Sequence, residues 1–134
     1  MPAGYSGTPL AKKLGLKDGV ALWAKAMPDS VRAEIAREAA PRYLARAGKG
    51  MAAAHVFHTS AAKLEADLKK LRTQIAADGQ VWVSWPKKAS KVETDITEDV
   101  IRTLALPLGF VDVKVCAVDE VWSGLKLVIR KELR

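Results

Sequence analysis

The sequence predicts an α/β domain of three layers whose mainly parallel sheet ends in an antiparallel C-terminal hairpin. Three observations predict it. Apolar runs of strand character at 20–24, 51–58 and 80–85 alternate with segments of helical periodicity, the pattern of a sheet covered on both faces. Two further runs, 110–118 and 122–131, are separated by too few residues for a parallel crossover, so they should pair antiparallel. The chain has 134 residues, 49% of them hydrophobic and 28% charged, enough apolar material for one buried core over 1–134 and too much for a disordered tail.

Each element follows from local signals. Residues 1–8 are expected to form a flexible N-terminal segment. Thr8-Pro9 marks a helix start, with Thr8 as N-cap and Pro9 at the first helical position. Leu10 and Leu14 share a face and Gly15 is the stop, giving a short helix over 9–14. Lys17-Asp18-Gly19 is a turn before the strand Val20 to Ala24. Pro28-Asp29 opens a second helix carrying Val31 and Ile35, and Pro41 ends it. Residues 42–47 read equally as a weak strand or a helical continuation. Gly48-Lys49-Gly50 turns into the buried strand 51–58.

Ser60 caps the clearest helix. Leu64, Leu68, Leu71 and Ile75 form its apolar stripe, Lys63, Asp67, Lys69, Lys70 and Arg72 occupy other faces, and Asp78-Gly79 closes it. Gln80 to Trp85 is rich in strand formers. Asp95 with Glu98 reads as a capping pair for a helix through Val100, Ile101 and Leu104. In the strand 110–118, Val111, Val113, Val115 and Ala117 alternate with Asp112 and Lys114. In the last strand Leu125, Leu127 and Ile129 share one face. Asp119-Glu120 turns the chain between the two.

Two resemblances add to this reading. GYSGTPLAKKLG at the start, WPKKAS near residue 85, TDITEDVIR near residue 94 and FVDVKVCAVDE running into VWSGLKLVIRKEL resemble a small bacterial family, domain of unknown function 3052. The matching pieces cover roughly 4–25 and 78–134, and 26–56 match least. That resemblance implies no particular reaction. The order strand, helix, Asp78-Gly79, strand, helix, hairpin is also similar to the later half of a Rossmann-like methyltransferase, which implies a Rossmann-like fold. Such folds hold a nucleotide on a glycine-rich loop after the first strand. Here Lys25-Ala26-Met27-Pro28 follows that strand without a glycine, and no acidic residue ends a second strand to hold a ribose. The resemblance therefore implies a shared scaffold and not S-adenosylmethionine binding or methyl transfer. No cofactor is expected.

Composition narrows the chemistry. One cysteine, Cys116, excludes an internal disulfide, and with two histidines it excludes a four-ligand Cys/His zinc site within the chain. No metal is expected. His55 and His58, three apart on a strand, should point to opposite faces and read as structural residues. Cys116 reads as a packed thiol. Ser84, Ser90 and Ser123 lack the setting of an activated nucleophile. No apolar run approaches the roughly 20 residues needed to span a bilayer, and the start lacks the apolar core of a signal peptide, so a cytoplasmic protein without a membrane partner is expected.

The strongest constellation is the loop after the 80–85 strand. It places Trp85, Lys87, Lys88 and Lys91 at the carboxyl end of a parallel strand, where such folds bind ligands. Glu93, Asp95, Glu98 and Asp99 follow closely and compete for those lysines. The chain is net +7, and residues 1–50 carry nine basic against four acidic side chains, Lys12, Lys13, Lys17, Arg32, Arg37, Arg42 and Arg46 among them. The leading expectation is a non-enzymatic binding module for a partner protein or a small anionic ligand. Its contact residues would be Tyr5, Ser6, Thr8, Trp85, Lys87, Lys88, Lys91, Trp122 and Lys126. The alternative is a reduced Rossmann-like transferase with a non-standard cofactor loop. A third reading is a nucleic-acid-associated regulator using the basic half.

Overall fold

The computed structural model describes residues 7–134. Six strands form one sheet: β1 (Ala21–Lys25), β2 (Arg42–Tyr43), β3 (Met51–Phe57), β4 (Ile75–Pro86), β5 (Phe110–Ala117) and β6 (Trp122–Ile129), in the order β2-β1-β3-β4-β6-β5. β1 runs parallel to β2 and β3, and β3 runs parallel to β4. β6 pairs antiparallel with both β4 and β5. Thus β5 runs in the direction of β1–β4, and β6 alone is reversed, slotted between β4 and β5. The expected α/β class, parallel set and antiparallel hairpin are all present. Residues 42–47 resolve into the two-residue edge strand β2.

Helices α1 (Leu10–Lys13) and α2 (Asp29–Ala36) cover one face, α3 (Ala61–Gln74) and α4 (Glu98–Ala105) the other. The strands explain why both faces need cover. In β4, Val81, Val83 and Trp85 join the core under α3 and α4, while Trp82 joins the core under α1 and α2. Such two-sided burial is why central parallel strands read as unbroken apolar runs. Trp82, 1% exposed, donates its indole N–H to the Leu14 carbonyl at 3.0 Å and ties β4 to the end of α1. Gly124, opposite Ser84, leaves room beside Trp82: a Cβ there would stand 3.2 Å from its ring.

Several local expectations need correction. Pro9, not Thr8, occupies the N-cap position of α1, and no side chain of the described residues caps it. α3 ends at Gln74, short of Asp78-Gly79, because Ile75 already pairs with Met51 and opens β4. The register then shifts, Gly79 fitting against the Ala52 carbonyl where a Cβ would stand only 2.9 Å away. Thr97, not Asp95, caps α4, accepting from the Val100 N–H at 3.2 Å. Asp95 instead accepts from the Ala61 N–H at 2.7 Å, at the start of α3. In β5 the expected apolar face does not form. The register slips between Asp112 and Lys114, and Val113 and Val115 are left exposed on an edge strand. Asp112 turns instead to the Arg102 guanidinium, which also holds Glu98 and Asp99.

Candidate functional site

In open α/β sheets the ligand crevice lies outside the carboxyl ends of the strands. Here β1 ends at Lys25, and β3 runs out into His58, Thr59 and Ser60. A cleft of about 690 Å³ opens there, lined by Lys25, Ala26, the segment 57–60, Lys63, Ala66, Asp67, Lys70 and Trp122. A smaller cavity of about 260 Å³ shares Lys25, Asp67 and Lys70 with it and adds Trp23, Ala47, Leu71 and Gln74. The first volume falls in the range of small-molecule sites.

Asp67 is the centre of the cleft. It is 8% exposed, and its carboxylate accepts from Lys25 Nζ at 3.0 and 2.8 Å and lies 2.7 Å from His58 Nε2. Burial pushes the Asp67 carboxyl up, but the hydrogen bonds and charges of Lys25 and His58 outweigh it and hold the carboxyl below its usual range. A carboxylate only accepts, so His58 donates from Nε2, and a neutral ring keeps its acceptor on Nδ1. The imidazole is thus oriented by a carboxylate, the arrangement that prepares histidine to take a proton.

Local structure fixes these groups. Asp67 stands on α3 beside Leu64, Leu68 and Leu71, all buried in the core. The start of α3 is pinned three times: Ser60 Oγ accepts from the Lys63 N–H at 3.4 Å, Asp95 from the Ala61 N–H at 2.7 Å, and Thr94 Oγ1 donates to the Thr59 carbonyl at 2.7 Å. The His58 N–H donates to the Ser84 carbonyl at 3.1 Å, holding the end of β3 against β4. Ala26, directly after Lys25, has a positive φ of 57°, a left-handed turn that a non-glycine residue adopts only under constraint. Lys25, Lys63 and Lys70 against the single carboxylate of Asp67 leave the cleft cationic. At its far wall Phe57 meets the edge of Trp122, ring centres 5.1 Å apart at 82°.

The residues expected to carry function distribute differently. Tyr5 and Ser6 lie outside the described residues. Thr8 is exposed beside α1, away from the cleft lining. Trp85 is 8% exposed and packs into the core, so it offers no stacking surface; alternation along β4 turns it the same way as Val81 and Val83. Lys87 ties its N–H to the Val121 carbonyl at 2.7 Å, Lys88 is exposed in the turn 88–90, and Lys91 takes a left-handed φ of 61°. None of these three lysines lines the cleft. Trp122 does. Lys126 sits opposite Trp82 and Lys114, on the α1 and α2 face.

His55 and His58 face opposite sides of the sheet, as their spacing predicts. His55 is buried, its Nε2 2.7 Å from Ser84 Oγ and its ring stacked 4.4 Å from Phe57. Burial lowers its pKa to about 3, so it is a neutral core residue. Cys116 is half-buried, its thiol pushed up by burial against the smaller lowering pull of Lys13 and Lys114. Sequence reasoning missed Lys25 and Asp67 and treated His58 as structural. The available signal was Asp67 itself, a carboxylate three and four residues from Leu64 and Leu71.

Among the described residues no helix is long and apolar enough to cross a membrane. No protein-family model and no curated protein sequence matches the chain. Solved structures do. Ribosomal protein L11 methylase from Lactobacillus delbrueckii subsp. bulgaricus superposes with a TM-score of 0.61 at 11% identity, over 90% of this chain and 77% of its own. Magnesium protoporphyrin IX methyltransferase from Synechocystis PCC 6803, solved with bound SAM, gives 0.58 at 11% identity, over 90% of this chain and 74% of its own. LepI in complex with SAM gives 0.58 at 9% identity over 92% of this chain, which spans about half the length of LepI, 47%. At these identities the likeness is one of fold: the chain has the Rossmann-like fold of SAM-dependent methyltransferases.

Proposed function

We propose that the chain is a reduced Rossmann-like transferase that works on an anionic small molecule in the cleft over β1 and β3, and that it does not use S-adenosylmethionine. The observation that carries the reading is Asp67, buried between Lys25 and His58 at the carboxyl ends of two parallel strands. Lys25, Lys63 and Lys70 attract a phosphate or carboxylate. His58, oriented through Nε2 by Asp67, accepts the proton of an attacking hydroxyl or amine. The phosphate- or carboxylate-binding part of this reading is shared with a pure binding module; the carboxylate–imidazole pair favours the transferase.

S-adenosylmethionine fits these residues poorly. Its sulfonium is a cation, and the cleft already carries three lysines against one engaged carboxylate. The loop after β1 has no glycine, and the Cβ of Ala26 occupies the left-handed position where a bare backbone would approach a ligand. β2 is followed by Leu44, Ala45 and Arg46, with no carboxylate for a ribose.

Thermal unfolding of the purified chain with adenosine monophosphate, S-adenosylmethionine and a nicotinamide dinucleotide tests this. A bound ligand at a hundredfold over its Kd adds about 2.7 kcal/mol of stability. Adenosine monophosphate should raise Tm and lose the effect in Lys63→Gln/Lys70→Gln. A shift of several degrees with S-adenosylmethionine, or none with any anion, sinks the reading.

A further inference from the structure

A second cationic cavity lies on the other face of the sheet, at the free edge formed by β5. It measures about 500 Å³ and is lined by Thr8, Lys12, Lys13, Lys114, Val115, Cys116 and Ala117. Its lining contains ammonium groups, a hydroxyl and a thiol, and no carboxylate. Beside it Lys114 stands directly opposite Lys126 across the antiparallel β5–β6 ladder. Like charges at directly opposed positions repel, and alternation puts both side chains on the face of Trp82, where α1 packs. Lys12, Lys114 and Lys126 form no ion pair among the described residues. Lys114 Nζ donates to the Lys13 carbonyl at 3.0 Å, and Lys13 Nζ to the Ala117 carbonyl at 3.3 Å. These two bonds hold the ammonium groups of α1 and β5 beside one another, and the Lys114 ammonium, which spends one proton on a carbonyl, keeps two to donate.

We propose that this edge is a second anion site, distinct from the cleft over β1 and β3, and that Lys12, Lys114 and Lys126 there bind a compact multivalent phosphate group such as a pyrophosphate moiety. A cross-strand lysine pair with no acidic partner is unfavourable alone and becomes favourable with a bridging anion. Lys12 and Lys114 on the cavity lining, with Lys126 across the ladder from Lys114, match a compact group of high charge density better than a singly charged ester. The Thr8 hydroxyl is placed to add a hydrogen bond. The site does not depend on the transferase reading, because α3, which carries Lys63, Asp67 and Lys70, covers the opposite face.

The test is titration of the full chain with pyrophosphate, orthophosphate and chloride at matched ionic strength, followed by amide and lysine shifts in NMR and by Tm. Pyrophosphate is expected to shift the signals of Lys12, Lys114 and Lys126 and to bind at least about tenfold more tightly than orthophosphate. Lys114→Gln/Lys126→Gln should weaken it at least about tenfold, the loss expected for about 1.4 kcal/mol of charge-assisted bonding. Without ligand the same variant should unfold at an unchanged or higher Tm, by about 1–3 °C, because it removes a repulsion. Pyrophosphate no better than chloride overturns the proposal. So does binding that survives Lys114→Gln/Lys126→Gln but is lost in Lys63→Gln/Lys70→Gln, which puts the anion in the cleft. A single-stranded oligonucleotide that displaces pyrophosphate with higher affinity overturns the small-molecule assignment in favour of a nucleic-acid backbone.

Discussion

His55 and His58 leave the same strand three residues apart and enter regions that treat a proton in opposite ways. His55 points under α1 and α2, among Phe57, Trp82 and Ser84, where no charge offsets the loss of water. There the imidazole stays neutral, and its Nδ1 is buried without a hydrogen-bond partner among the described residues. His58 points under α3, meets the Asp67 carboxylate, and borders a cleft with three lysines. One region uses its polar groups to complete a core. The other concentrates charge where the parallel strands end. The same residue type on one strand is thus structural or functional according to the face it reaches, and spacing alone distinguishes the faces but not their contents.

The largest expected effect belongs to the first region. Trp82→Ala should destabilise the chain by about 3–5 kcal/mol, since it empties the volume between β4 and α1 and removes one of the two side-chain bonds to the Leu14 carbonyl, Gln80 keeping the other. Urea unfolding monitored by circular dichroism measures it. A loss under about 1 kcal/mol would mean that the region is not a packed core and would erase the contrast.

Acid comes next. The His55 pKa is lowered in the folded chain to about 3 from an ordinary 6.5, so between these values the unfolded chain binds a proton that the folded chain refuses. Stability is therefore full above about 6.5 and falls with pH, by up to about 1.4 kcal/mol per unit, until about 3. Asp67 acts in a lower window. Its pKa is depressed, so its contribution is present above the ordinary carboxylate value of 3.8 and disappears only as pH drops through the lower folded value. His55→Gln keeps a partner for Ser84 without titrating and should flatten the slope between about 4 and 6.5 while leaving the steeper fall below it. A slope in the variant identical to that of the wild type would show that other groups govern acid stability.

The two regions also differ in how much of them the sequence displays. The core around His55 is legible because burial leaves a periodic trace: the apolar runs at 51–58 and 80–85 and the Leu64, Leu68, Leu71 stripe each predict an element that forms. The order of strands is less so, since β6 is inserted between β4 and β5 by pairings that no local pattern encodes. The charged cluster leaves almost no trace. Lys25, His58 and Asp67 come from three elements, and each alone looks like a strand-end or helix-surface residue. Conversely the dense local run Trp85 to Lys91 draws notice and then separates, the tryptophan inward and the lysines outward, because β4 is buried on both faces to its end. Asp95 is misplaced for a similar reason: the helix it serves begins 34 residues earlier in the chain.

Within the cleft, Asp67→Asn should cost about 1–3 kcal/mol, the range for removing a hydrogen-bonded charge from a mostly buried site. Its sharper signature is at His58. With the carboxylate gone, the imidazole loses the ionised acceptor that holds its Nε2, so the NMR signals of its ring should shift from those of the wild type. Unchanged ring signals would show that Asp67 does not orient the imidazole, and the case for His58 as an oriented proton acceptor would go with it.

The smallest effect is expected from the loop that touches neither region. Replacing Lys87, Lys88 and Lys91 with alanine removes side chains that form no ion pair among the described residues. Exposed charges of this kind contribute on the order of 0–1 kcal/mol each, and the backbone bond from Lys87 to Val121 survives truncation of the side chain. Urea unfolding should therefore hardly move, and neither should the binding of adenosine monophosphate in the cleft, whose lining excludes all three residues. The two readouts separate three roles. A large stability loss would make the lysines structural. Weakened nucleotide binding at unchanged stability would extend the cleft across Trp122 to this loop, which lies next to it through the pairing of Pro86 with Trp122. No change in either leaves Lys25, Lys63 and Lys70 as the cations that matter at the carboxyl ends of the strands.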